Sequence, residues 1–202
     1  INVCDTLCDF CSFHPNISSL VFAGSSKSGI ISLYEIKDQL KLVHEYNSKQ
    51  IFKRLGQSIF AISCDASLVF CCSSTTLLTW SQSDGNLLSK IENLSNVVAI
   101  YPHIDINTIV AIVTKNSVVL ANVEIGKVIN TMNIPYDCSK LACGVWDNSG
   151  VKFYAGDNGG GFYVFRLSSS QLSCCASQYF FPTDFTPSEW DEGRGQYEED
   201  SH

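Results

Sequence analysis

The residues best suited to chemistry stand near the start of the sequence, where Cys4, Cys8 and Cys11 follow one another at Cys-x3-Cys-x2-Cys spacing, with Phe10 before the third cysteine. Three thiolates so spaced hold three irons of a 4Fe–4S cluster and leave the fourth open for a cofactor. With His14 added, the set Cys4, Cys8, Cys11 and His14 has donors that suit zinc. Both readings meet the same obstacle. Enzymes built on such clusters need βα units, and structural zinc ligands prefer turns, whereas this segment reads as one extended strand whose Cys11 and Phe13 are expected to be buried.

The glycine-rich stretch Gly156-Asp157-Asn158-Gly159-Gly160-Gly161 lacks the Lys-Ser/Thr pair of a phosphate-binding loop and leads into a strand. It reads as a hairpin turn that needs residues tolerant of positive φ. His14, His44, His103 and His202 are scattered, with no His-x3-His spacing and no nucleophile beside them, and read as surface or turn residues. The expectation is a protein that is not an enzyme, with no catalytic residue, no metal, no cofactor and no small-molecule substrate.

The elements that must position these side chains follow from the hydrophobic pattern. The chain of 202 residues is 45% hydrophobic and 16% charged, which suits one folded domain with a short appendage. Apolar runs of four to eight residues alternate with Gly, Asn, Ser and Asp clusters, and helical spacing is nearly absent. The fold class is therefore all-β. No apolar run approaches the ~20 residues that cross a bilayer, so a soluble protein without a membrane partner is expected. The chain opens on Ile1, and no basic segment leads into an apolar stretch of signal-peptide type. It reads as a piece of a longer, non-secreted protein. Ten cysteines, several inside apolar runs (Cys71-Cys72, Cys143, Cys174-Cys175), read as free thiols of a reducing compartment, cytosol or nucleus. The sequons at Asn16 and Asn93 then carry no meaning.

A strand pair recurs four times. Leu20-Val21-Phe22-Ala23-Gly24-Ser25-Ser26 leads through a turn to Ile30-Ile31-Ser32-Leu33-Tyr34. The same pattern reads Leu68 to Ser74 then Leu77 to Trp80, Ile109 to Val113 then Val118 to Ala121, and Lys152 to Asn158 then Phe162 to Phe165. Tyr34, Trp80, Ala121 and Phe165 are spaced 46, 41 and 44 residues apart, close to the ~40–45 residues of a four-stranded propeller blade. A short strand precedes each pair (Phe10–Phe13, Ser58–Ile62, Val97–Tyr101, Leu141–Val145), and a more polar outer strand follows, such as Leu87–Ile91. Phe13-His14-Pro15, Gly24-Ser25-Ser26-Lys27-Ser28-Gly29, and Tyr34-Glu35 and Trp80-Ser81 at the repeat ends resemble a degenerate WD40 repeat. The resemblance implies a WD40-like β-propeller over residues 1–175, held mostly by apolar packing. Four blades either close as a rare four-bladed ring or form part of a larger one, such as the usual seven-bladed ring, with end faces that need cover.

Residues 176–202 read as an acidic, aromatic tail, extended or disordered alone. From residue 184 onward it holds seven acids against Arg194, nearly all of the formal net charge of −7. The near-neutral remainder shows no basic stripe for a phosphate backbone, so the partners are expected to be proteins. The anchors in this reading are Phe181, Pro182, Asp184, Phe185, Trp190, Asp191, Glu192, Tyr197, Glu198, Glu199 and Asp200, aromatics for pockets and carboxylates for a basic rim.

Phe181-Pro182-Thr183-Asp184-Phe185 and Tyr197-Glu198-Glu199 resemble the "F-A-P-D-F … Y-E-E" tail of the retinoblastoma-binding protein 5 family. The repeat Val98 to Leu120 and the repeat Trp146 to Leu172 resemble that family's third and fourth blades. The family supplies the WD40 subunit of the COMPASS/MLL histone H3 lysine-4 methyltransferase core. The resemblance implies a nuclear chromatin-regulator scaffold whose tail runs along a SPRY-domain subunit and activates the SET-domain methyltransferase, touching the nucleosome only indirectly. A WD40 scaffold of another nuclear or nucleolar assembly, such as one in ribosome biogenesis, or a cytoplasmic one, is the alternative.

Overall fold

A computed structural model describes residues 8–52, 57–134, 139–168 and 171–179, with side chains as far as Leu167. Phe181 to Asp200, the whole proposed set of tail anchors, and Cys4 and His202 lie outside the described residues.

Sixteen strands form four antiparallel sheets of four. Blade 1 is β1 (Phe10–Phe13), β2 (Leu20–Ser25), β3 (Ile30–Ile36) and β4 (Leu40–Asn47). Blade 2 is β5 (Ile59–Ile62), β6 (Leu68–Cys72), β7 (Leu77–Ser81) and β8 (Leu87–Ile91). Blade 3 is β9 (Val97–Pro102), β10 (Ile109–Thr114), β11 (Ser117–Asn122) and β12 (Lys127–Asn133). Blade 4 is β13 (Leu141–Trp146), β14 (Lys152–Asp157), β15 (Gly161–Ser168) and β16 (Gln171–Tyr179). β16 carries blade 4 to Tyr179, past the boundary read at 175, because it pairs with β15 along its whole length, from Ser168↔Gln171 to Gly161↔Tyr179. No helix among the described residues is long and apolar enough to cross a membrane.

Each sheet runs in chain order, so neighbours are joined by hairpins and the sequence of one repeat builds one blade. The register breaks at the same repeat position in all four, between Leu33 and Tyr34, Thr79 and Trp80, Leu120 and Ala121, and Val164 and Phe165. These are the four residues that the sequence alignment superimposes. A bulge there twists the third strand against the outer one, as a radial blade requires.

The core consists of three inter-blade clusters. Phe22, Ile31, Leu33 and Tyr46 of blade 1 pack on Phe60, Val69, Cys71 and Trp80 of blade 2. Phe70, Cys72 and Leu77 pack on Ile100, Val110, Ile112 and Ala121. Ala111, Val113, Val118 and Leu120 pack on Trp146, Phe153, Tyr163 and Phe165. β10 is buried at all six positions because blade 3 has neighbours on both faces. Among the described residues no cluster joins blade 4 to blade 1.

That openness corrects one expectation. Cys11 is exposed and Phe13 is 65% exposed rather than buried. Strand alternation places them on the face of β1 turned away from blade 2, and among the described residues no blade covers it. Cys143 is likewise exposed, whereas Cys71 and Cys72 are fully buried.

Candidate interaction surface

The turns after the innermost strands share one device. His14, Ser63, His103 and Asp147 occupy the same place, and the backbone N–H of each donates to a carbonyl across the turn (Leu20, Leu68, Ile109 and Lys152). Their side chains then satisfy the turn's own amides. His14 Nδ1 accepts from Asn16 N at 3.2 Å, and Ser63 Oγ accepts from Leu68 N at 3.0 Å. His103 Nδ1 accepts from Asp105 N at 3.1 Å and Ile106 N at 3.0 Å. Asp147 accepts from Lys152 N at 3.0 Å and Ser149 Oγ at 2.7 Å, and the Lys152 amide first of all holds its carboxyl below the usual aspartate range. His14 and His103 are thus turn residues, as expected, but buried ones.

At the opposite end of the blades, Ser73, Thr114 and Asp157 do the same for the next hairpin. Thr114 Oγ1 accepts from Ser117 N at 3.0 Å, and Asp157 Oδ1 accepts from Gly159 N at 2.8 Å and Gly161 N at 2.7 Å. The glycine-rich stretch is therefore a hairpin turn organised by its own aspartate. These turns also grip the linkers, through Ser58 N to Ser26 O, Val97 N to Ser74 O and Leu141 N to Lys115 O. In blade 1, Asp9 takes the linker's part, receiving the Ser26 amide at 2.7 Å and the Ser26 hydroxyl. The Ser26 side chain, then its amide, holds Asp9 below the usual carboxylate range.

Polar contacts also cross from blade to blade. Trp146 Nε1 donates to Tyr101 O at 3.0 Å, and the Gly144 amide donates to Tyr101 Oη at 2.9 Å. Tyr46 Oη donates to Gln82 O at 3.2 Å; burial, then Asp84, pushes its phenol up to about 12. Asn107 donates to Asp65, whose carboxyl burial raises but the Ser67, Ser63 and Asn107 hydrogen bonds bring down more strongly.

The residues first considered for chemistry do not converge. Cys8 Sγ donates to Phe10 O at 3.1 Å, His14 stacks on Phe22, and among the described residues no three His, Cys, Asp or Glu side chains are grouped to hold a metal ion. The surface offers contact positions instead. On three successive outer strands Leu42, Leu87 and Val128, opposite Tyr34, Trp80 and Ala121 across the bulges, are 49%, 44% and 41% exposed. Sequence reading took the outer strands only as more polar; the hidden signal was their register, one apolar residue per repeat beside the bulge. The second surface is the open face of blade 1, where Cys11, Val21, Ala23, Ser25, Ile30 and Ser32 line a hollow of about 420 Å³.

The fold is that of WD40-like β-propeller blades, all-β and built of repeated four-stranded units. Among solved structures it is similar to the C-terminal WD40 domain of Sif2, with a TM-score of 0.63 at 19% identity over 81% of this chain. The match spans 46% of that domain's length. No family model and no curated protein matches the sequence.

Proposed function

We propose that this chain is a non-enzymatic scaffold that holds protein subunits together. The observation that carries the reading is the repeat-related row Leu42, Leu87 and Val128, apolar and exposed on the outer strands of three successive blades. Exposed apolar positions recurring on a rigid frame serve association rather than chemistry. The acidic, aromatic segment 184–202 supplies a second binding element for a basic groove. Its likeness to the retinoblastoma-binding protein 5 tail supports a nuclear role in the histone H3 lysine-4 methyltransferase core, bridging SET-domain and SPRY-domain subunits.

Reconstitution tests both levels. Leu42→Asp with Leu87→Asp and Val128→Asp should strip partners from the full chain in pull-downs followed by mass spectrometry, with secondary structure unchanged. Adding the chain to SET-domain and SPRY-domain subunits should raise histone methylation. No bound protein lost from the triple variant removes the rim reading, and no effect on methylation removes the methyltransferase reading.

A further inference from the structure

A cavity of about 330 Å³ opens on the flank of blade 3, between the linker that enters the blade and the hairpin joining β10 to β11. Its size falls within the ~300–1,000 Å³ of ligand pockets. The sequence builds its walls rigidly. Asn93 and Asn96 take left-handed backbone, at φ +62° and +52°, which asparagine tolerates better than most residues, and so bend the linker around the cavity. Leu94 N donates to Thr75 O at 3.0 Å, Val97 N to Ser74 O at 3.1 Å and Lys115 N to Asn96 O at 3.2 Å, which ties both walls to the blades. Leu94 and Val119, both buried, supply an apolar floor, and exposed Val128 an apolar edge.

The chemistry of the lining selects the ligand. Lys115 is the one charged residue among the described residues that line the cavity, and it has no ion pair among them. Around it stand Asn93, Asn116, Thr131 and Asn133, whose side chains make no hydrogen bond among the described residues. An ammonium, carboxamide N–H groups and a hydroxyl are donors that an oxygen anion fills. Glu92, next to Asn93, does not line the cavity and is paired with Lys90 at 2.7 Å, so no acid there repels an anion. Among the described residues no aromatic ring lines it, which removes the platform on which a nucleic-acid base stacks. One lysine with no arginine beside it suits the single charge of a carboxylate better than the near-double charge of a phosphate. The apolar floor then takes the carbon atoms beside that carboxylate.

We propose that this cavity binds a carboxylate side chain on an acidic, apolar segment of a partner protein. Lys115 supplies the counter-charge, Asn93, Asn116 and Asn133 supply further donors, and Val128 continues the contact onto the rim. The inference rests on the scaffold reading only in taking its ligand from a protein. The segment is a partner's and not this chain's own tail, because the cavity opens on the face of blade 3 that Val119 and Ala121 turn toward blade 2. β16, from which the tail departs, lies on the opposite side, that of Ile129 and Met132.

Fluorescence anisotropy on the full chain tests this with a short labelled peptide that alternates valine and glutamate. The chain's net charge of −7 opposes any general attraction, so saturable binding reads the cavity. The glutamine and lysine counterparts of the peptide should bind about tenfold more weakly or not at all. Lys115→Ala should weaken the glutamate peptide about tenfold, Lys115→Arg should hold it, and Asn133→Asp, which sets an acid in the cavity, should abolish it. Lys115 and Asn133 are exposed, and circular dichroism melts establish that each variant folds. Lys49→Glu, away from the cavity, should leave the affinity unchanged. The readout is a peptide and not a captured partner, so this proposal and the rim reading fail separately. No saturable binding, equal binding of the glutamate and glutamine peptides, or indifference to Lys115→Ala overturns the proposal. So does a gain of about tenfold on deleting residues 184–202 at physiological salt, where screening limits general repulsion, because the chain's own acids then hold the cavity.

Discussion

His103 of blade 3 donates from Nε2 to the carbonyl of Gly150 in blade 4 at 2.8 Å, and Gly150, at φ +66°, presses against the same imidazole with no room for a side chain. The Nδ1 atom accepts two backbone amides, so the neutral Nε2–H tautomer is built into the turn. A Cβ on Gly150 would meet Cε1 and Nε2 of the ring, and positive φ adds strain of ~1 kcal/mol for a non-glycine residue. Gly150→Ala should therefore lower the denaturation midpoint. His103→Ala should cost about 2 kcal/mol, because the buried Gly150 carbonyl loses its donor and two turn amides lose their acceptor. In the His103→Ala background the alanine at 150 finds space, so the double-mutant cycle should show that Gly150→Ala costs clearly less there. Strict additivity would mean that the two residues do not share one packing site.

The seam between blades 1 and 2 rests on Tyr46 and Trp80, whose rings lie 6.2 Å apart. Trp80 is 4% exposed, and its removal opens a cavity; Trp80→Ala should cost ~3–5 kcal/mol. Tyr46→Phe deletes only the bond to Gln82 O and should cost ~1 kcal/mol. Urea unfolding would register both, and equal effects would contradict the distinction.

Asp9 makes one part of stability acid-sensitive. Its hydrogen bonds from Ser26 hold the folded carboxyl below the ordinary 3.8. A carboxyl with a lowered folded pKa binds its proton more weakly when folded, so its stabilisation is complete above the unfolded value and is lost as pH falls through the folded one. Wild type should lose more stability than Asp9→Asn between pH 5 and pH 2, roughly the window of an exposed aspartate. Solvent screening keeps the difference small. Parallel curves for the two proteins would remove Asp9 from the acid response.

Thiol reactivity should separate the cysteines by site. Cys71 and Cys72 are fully buried, and burial pushes the Cys71 thiol up to about 11 and Cys72 higher still. The thiolate is the nucleophile, so both should resist alkylation until the chain unfolds. Cys64 is exposed but is raised by burial of its sulfur and by Asp65, and should react more slowly than a free thiol yet without unfolding. Site-resolved mass spectrometry during timed labelling would read all three.

Much of the fold was legible because a repeat shows itself twice, in spacing and in type. Tyr34, Trp80, Ala121 and Phe165 differ in size and polarity, yet their spacing alone placed them at one position, and the bulge precedes each. Coverage was not legible. Alternation puts Cys11 and Phe13 on one face, as it does Phe60 and Ile62, but whether a blade lies over that face depends on the neighbour and not on the strand. The burial of the turn histidines was hidden for a related reason: His103 accepts from two amides of its own turn but donates to the carbonyl of Gly150, 47 positions away. The tail remains a proposal, since its anchors lie outside the described residues.

That tail gives the sharpest kinetic expectation. From residue 184 onward it carries seven acids against one base, so steering toward a basic groove should fade as salt rises to physiological strength, where the Debye length is about 8 Å. Rim charges act mainly on association, whereas a buried aromatic anchor acts on dissociation and its truncation costs ~2 kcal/mol or more. Glu198→Lys with Glu199→Lys should therefore slow the on-rate and flatten its salt dependence. Trp190→Ala or Tyr197→Ala should speed release about tenfold or more, at about 1.4 kcal/mol per decade, with little change in the on-rate. Surface plasmon resonance against the SET-domain and SPRY-domain subunits separates the two rates. The melting temperature of the blades should stay put in every variant, since the substituted positions follow the last strand, β16, which ends at Tyr179. If deletion of residues 184–202 leaves both rates and methylation untouched, the tail is a solvated terminus and the methyltransferase reading loses its main support.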